Sequence, residues 1–103
     1  MEYLLRYQGR DIARIFNVEK DFPTYIGSYT FVPNWDEGID EIVKLYVDVA
    51  LGKIDPETIE EQHFEQFCLW LTNTDCWTMF KMDNEVSEDI LPPTITKEYI
   101  AWR

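Results

Sequence analysis

Residues 36–71 constrain this chain more than any other stretch. Their apolar side chains recur at helical spacing, while the segments on either side alternate like strands. Asn34 and Asp36 are residue types that accept hydrogen bonds from the free N–H groups of a first helical turn, so a helix is predicted to start at one of them. Ile39, Ile42, Val43, Tyr46, Val47, Ala50 and Leu51 follow at steps of three and four and share one helix face. Gly52 stands where a left-handed residue ends a helix, with Lys53 beside the negative end of the dipole. Asp55-Pro56-Glu57 then combines an N-cap, a first-turn proline and a first-turn carboxylate. It predicts a second helix whose apolar residues are Ile59, Phe64, Phe67, Cys68, Trp70 and Leu71, ending at Thr72-Asn73.

Before these helices, residues 3–7 and 10–18 read as a hairpin turning at Gln8-Gly9. A two-residue turn sets Leu5 opposite Ile12 and Arg6 opposite Asp11. Residues 19–27 read as a loop in which Phe22-Pro23 ends the strand and Gly27 bends the chain. Residues 28–32 form a third strand with Tyr29 and Phe31 on one face. After the helices, residues 76–82 alternate like a strand, and Asp83-Asn84-Glu85 is a turn signal. Pro92-Pro93 forbids regular pairing at the end of residues 86–93. Residues 97–103 fit a last strand with Ile100 and Trp102 on one face. The predicted order is β-β-β-α-α-β-β. It describes an α+β two-layer sandwich: an antiparallel sheet of four to five short strands with two consecutive helices packed on one face. At 103 residues the chain is expected to be one domain, 1–103.

Charge is the compositional outlier. Glu2, Asp11, Glu19 and Asp21 are matched by Arg6, Arg10, Arg14 and Lys20, so the whole net charge of −11 lies in residues 35–103. Nucleic acid and anionic membrane both require basic surface, so neither is expected as a ligand. A basic protein partner fits instead. The apolar run 39–51 is interrupted by Asp40, Glu41, Lys44 and Asp48, so no bilayer-spanning segment is predicted. The N-terminus lacks a basic region followed by a long apolar one, so no signal peptide is expected. Cys68 and Cys76 lie among apolar neighbours and read as buried thiols of a reduced, cytoplasmic protein.

Catalytic groups are sparse. His63 is the one histidine, and it falls between Ile59 and Phe67 on a helix edge facing the core, where a packed or half-exposed spacer is expected. Ser28 and Ser87 lack a nucleophile-elbow pattern, and the four scattered glycines make no phosphate loop. His63 and Cys68 are five residues apart, roughly 140° around a helix, and do not chelate one ion. Glu60-x-x-His63 is a single copy of a motif that di-iron bundles use twice. Asp83, Glu85, Glu88 and Asp89 lack the spacing of a calcium loop. No cofactor or metal is predicted.

The acids of the helices are the remaining signal. Glu57, Glu61 and Glu65 recur every four residues with Glu60 beside them, and Asp36, Glu37, Asp40, Glu41 and Asp48 make a comparable face on the first helix. Only Lys44 and Lys53 relieve this charge. Tyr25, Tyr29, Trp35, Tyr99 and Trp102 are too many aromatics to bury wholly, so some are expected at the surface. The sequence therefore points to a non-enzymatic protein-binding domain of the immunity or inhibitor type, occluding a basic partner such as a toxin. Its candidate contacts are Asp40, Glu41, Asp48, Glu57, Glu61 and Glu65, with Trp35 as anchor. Two other classes compete with it: a small hydrolase or metal-dependent enzyme using the carboxylates with His63, and a homo-oligomeric structural subunit pairing through its terminal strands.

Overall fold

The computed structural model describes residues 2–21, 23–73 and 76–103. Among these, seven strands and two α-helices form an α+β fold. The strands are β1 (Tyr3–Tyr7), β2 (Arg10–Asp21), β3 (Thr24–Phe31), β4 (Trp77–Lys81), β5 (Val86–Asp89), β6 (Thr94–Ile95) and β7 (Ile100–Trp102). The helices α1 (Glu41–Ala50) and α2 (Glu61–Asn73) separate β3 from β4, with a 3-10 turn at Pro56–Thr58 between them. All the strand pairs are antiparallel, in the order β5-β4-β1-β2-β3-β7-β6.

This order forces the sheet to curl. β5 and β6 are its two edges, yet only residues 90–93 join them. Five residue steps reach roughly 17 Å at most. Seven strands laid flat would separate the edges by roughly 29 Å. The sheet therefore rolls until the edges approach. Pro92 and Pro93 stand in the joining segment, and without N–H groups they offer it no ladder donors.

The concave face is the core. Pairing sets Leu5 between Ala13 and Met79, Tyr7 against Trp77, and Ile95 against Ile100. All of these are buried, and Val43 and Val47 of α1 join the same cluster. The β1–β2 hairpin turns at Gln8-Gly9, both with positive φ, as the sequence predicts. Arg6 does face Asp11, and their side chains meet at 2.7 Å. Leu5, however, faces Ala13 rather than Ile12. A bulge between Leu5 and Arg6 makes Ile12 the extra residue, so Ile12 and Ala13 are both fully buried.

Other expectations are corrected. The sheet has seven strands, not four to five, because β5 and the two-residue β6 pair despite the prolines that follow β5. The expected loop at 19–27 is mostly strand: β2 runs to Asp21 and β3 starts at Thr24, while Phe22 lies outside the described residues. The first helix starts at Glu41, not near Asn34, since Asn34 and Gly38 hold positive φ of 60° and 68° and interrupt a right-handed helix. Asp36 and Glu37 thus sit in turns rather than on a helix face. The thiols expected to be buried are not: Cys68 is exposed and Cys76 half-buried. Of the five aromatics expected partly at the surface, Trp102 is buried against Tyr3 and Tyr25 and the other four are half-buried. No helix among the described residues is long and apolar enough to cross a membrane.

Gly27 sits inside β3 rather than at a bend, opposite a second bulge in β2 between Phe16 and Glu19. A Cβ there would lie 2.7 Å from Ile15 Cγ2 and 3.0 Å from the Phe16 carbonyl oxygen. Gly27→Ala is expected to lower stability by about 1–3 kcal/mol in urea unfolding, with Ser28→Ala as the neighbouring control. An unchanged midpoint would mean that the bulge yields to the added methyl.

Candidate functional site in the helical layer

α1 is apolar on more than one side. Val43 and Val47 turn into the core, whereas Ile42 and Leu45 stay half-buried on a flank. That flank and the segment leading to α2 enclose a cleft of about 700 Å³. Its half-buried lining is Ile42, Leu45, Ile54, Ile59 and Asp48, and its exposed lining is Glu41, Lys44, Thr58, Glu60, His63 and Gln66. The result is an aliphatic floor with a polar rim.

The connection holds this shape through local hydrogen bonds. The Lys53 and Ile54 N–H groups both donate to the Asp48 carbonyl, at 2.8 and 3.3 Å, folding the chain back on the end of α1. Asp55 does act as an N-cap, accepting from the Glu57 N–H at 3.0 Å, but it caps the 3-10 turn and not α2. Ile59 is extended and breaks the helix before Glu61. Of the expected carboxylate stripe, only Glu61 and Glu65 lie on α2; Glu57 belongs to the turn before it.

α2 is held by an aromatic cluster. Phe67 is buried and Trp70 half-buried, and the Trp70 indole N–H donates to the Tyr7 hydroxyl at 3.2 Å. Trp70 meets Tyr46 with centroids 5.4 Å apart, and Tyr7 meets Trp77 at 5.0 Å. The Tyr46 hydroxyl donates to the Pro93 carbonyl, tying α1 to the segment that joins the sheet edges. Trp77 is fully buried, and its indole N–H finds no hydrogen-bond partner among the described residues.

Docking through Phe67 and Trp70 leaves the opposite side of α2 in solvent. Phe64 and Leu69 are 42% and 61% exposed, beside the exposed Cys68, Glu61 and Glu65. These five span roughly 140° of the helix at 100° per residue. Apolar and acidic side chains therefore share one solvent face.

The candidate contacts are divided among three clefts, the outer face of α2 and the Phe31 stack. Glu41 and Asp48 line the main cleft with Glu60 and His63. Glu57 and Glu61 line a second cleft of about 310 Å³ with Pro56, Ile59 and Phe64. Asp40 lines a third, of about 160 Å³, beside Tyr7 and Arg10. Glu65 lies on the outer face of α2. Trp35 is half-buried and stacked on Phe31 at 5.0 Å, lining none of the three. His63 is exposed on the cleft rather than packed in the core: it lies on the same side of α2 as Phe67 and Trp70 but one turn nearer the N-terminus, beyond the aromatic cluster that holds them. The floor residues Leu45 and Ile54 were outside the predicted site; the signal for them is that α1 carries Ile42, Leu45 and Val49 beyond one narrow stripe.

Electrostatically the two layers differ. Among the described residues the ion pairs are Arg6–Asp11 and Arg14–Glu2, both at 2.7 Å and both on the sheet side. None involves a helix. No group of three or more His, Cys, Asp and Glu side chains among the described residues is placed to hold a metal ion. Compared with known proteins, the chain matches no family model, no curated protein and no solved structure.

Burial pushes the Tyr46 hydroxyl from the usual 10.0 up to about 12, and Tyr3, Tyr7 and Tyr29 shift in the same direction, each mainly by burial. The unfolded chain releases the Tyr46 proton near 10 and the folded chain only near 12. Its contribution is whole below about pH 10 and is lost as pH rises towards 12, at about 2–3 kcal/mol. Tyr46→Phe is expected to flatten this alkaline fall in unfolding free energy. An equally steep fall in the variant would assign it to the other tyrosines.

Proposed function

We propose that this protein is a non-catalytic, acidic protein-binding domain of the immunity or inhibitor type, which occludes a basic partner such as a toxin. The observation that carries this reading is the outer face of α2, where Phe64 and Leu69 stand exposed among uncompensated carboxylates. A helix that only covered a core would turn such residues inward. Exposed apolar side chains ringed by one sign of charge suit a surface that steers a partner of opposite charge and then holds it by desolvation.

Charge distribution supports the same reading. The net −11 falls wholly within residues 35–103, and both helices lie there. The contacts in this reading are Glu57, Glu61 and Glu65 with Phe64 and Leu69, flanked by Asp40, Glu41 and Asp48. Trp35 is already stacked on Phe31 and serves as packing.

Affinity capture from the native extract at low salt, with elution in a salt gradient, is expected to retain one strongly basic protein that leaves over a narrow range. Against that protein, the triple variant Glu57→Lys, Glu61→Lys, Glu65→Lys is expected to associate about tenfold more slowly or worse, with a flattened salt dependence. Unchanged association kinetics would remove this face from the interface.

A further inference from the structure

We infer that the cleft between α1 and α2 receives the apolar side of an amphipathic basic helix from the partner. The assignment rests on the reading above that the partner is a basic protein. It adds where and in what form that partner is gripped.

The floor chemistry comes first. Ile42, Leu45, Ile54 and Ile59 present half-buried aliphatic surface in a cleft of about 700 Å³. The cleft is open to solvent along its rim, so it receives side chains from a docked surface rather than enclosing a small molecule. Water on such a floor is displaced favourably by aliphatic or aromatic side chains. Rim chemistry selects among the molecules able to supply them. Glu41, Asp48 and Glu60 stand against a single lysine, Lys44, so the rim is net negative and favours flanking cations.

Geometry then favours a helix. The α1 wall runs from Glu41 to Asp48, about 10 Å at 1.5 Å per residue, or two helical turns. Anchors spaced three or four residues apart on a helix fall within that length. A strand would turn alternate side chains away and place fewer anchors over two turns. Lysines on the occupant's flanks meet the rim carboxylates, while its far side remains in solvent. Small apolar ligands lack the cations, and acidic helices are repelled.

The test uses the full chain, isotopically labelled, and two synthetic peptides of the same leucine and lysine composition. One places leucines at helical i, i+3, i+4 and i+7 positions; its scrambled isomer has no apolar face. The amphipathic peptide is expected to bind at least about tenfold more tightly. It should shift the backbone amides of Ile42, Leu45, Ile54 and Ile59 to saturation. Asp48→Asn with Glu60→Gln should weaken it several-fold without changing the melting temperature. Equal binding of the two isomers, with shifts confined to Glu57, Glu61, Phe64, Glu65 and Leu69, overturns the cleft assignment and leaves the acidic docking face standing. Failure of both peptides to bind also overturns it, and the capture experiment decides the docking face independently.

Discussion

Four residues between the sheet's two edges govern the architecture. Because residues 90–93 must carry the chain from β5 to β6, the seven strands roll into an incomplete barrel. Prolines at 92 and 93 leave the joining segment without two ladder donors, and α1 lies against β6 nearby. Tyr46 makes the join specific by donating to the Pro93 carbonyl while its ring packs on Trp70 and Trp77. The helix thereby fastens the joining segment to the aromatic cluster beneath it.

α2 depends on that arrangement at one remove. Thirteen residues make a helix that is marginal in water alone. Its stability comes from docking on Tyr7, Tyr46 and Trp77 through Phe67 and Trp70. Two anchors one turn apart hold the C-terminal half of the helix. The N-terminal half, including His63 and Phe64, extends past them, and the cleft against α1 remains open for that reason. The aromatic cluster thus both attaches α2 and decides which of its residues meet solvent.

Much of this fold was legible. Gln8-Gly9 identified the first hairpin, Tyr29 and Phe31 do share a face, and Ile100 and Trp102 are both buried. These are local signals, set by turn chemistry and by the alternation of a strand. What escaped depends on long-range placement. The bulge that buries Ile12 with Ala13 repairs a register, and no two-residue turn rule announces it. β6 exists only because β7 lies beside it. Asp55-Pro56-Glu57 is a sound start signal, but extended Ile59 ended the turn it began, so Glu57 left the stripe it was assigned to. For the site, the carboxylates were visible while their division among three clefts and the outer face of α2 was not. For Glu61 and Glu65 the placement follows from Trp70 of α2 meeting Tyr7, a contact 63 residues apart in sequence.

Charge segregation completes the physical picture. On the sheet side each early cation is engaged at home: Arg6 with Asp11 and Phe80, Arg14 with Glu2, Arg10 with the Asn34 carbonyl, and Lys20 over Tyr25. The helical carboxylates have no such partners among the described residues. In water two such charges 4 Å apart interact by only about 1 kcal/mol, and physiological salt screens them beyond about 8 Å. A negative layer of this kind brings a basic molecule to the surface but holds it weakly. Retention requires apolar area that loses water on contact, and the helical layer supplies it at Phe64, Leu69 and the aliphatic floor between the helices. The acids and the exposed apolar residues are therefore complementary parts of one surface, the first acting on encounter and the second on residence time.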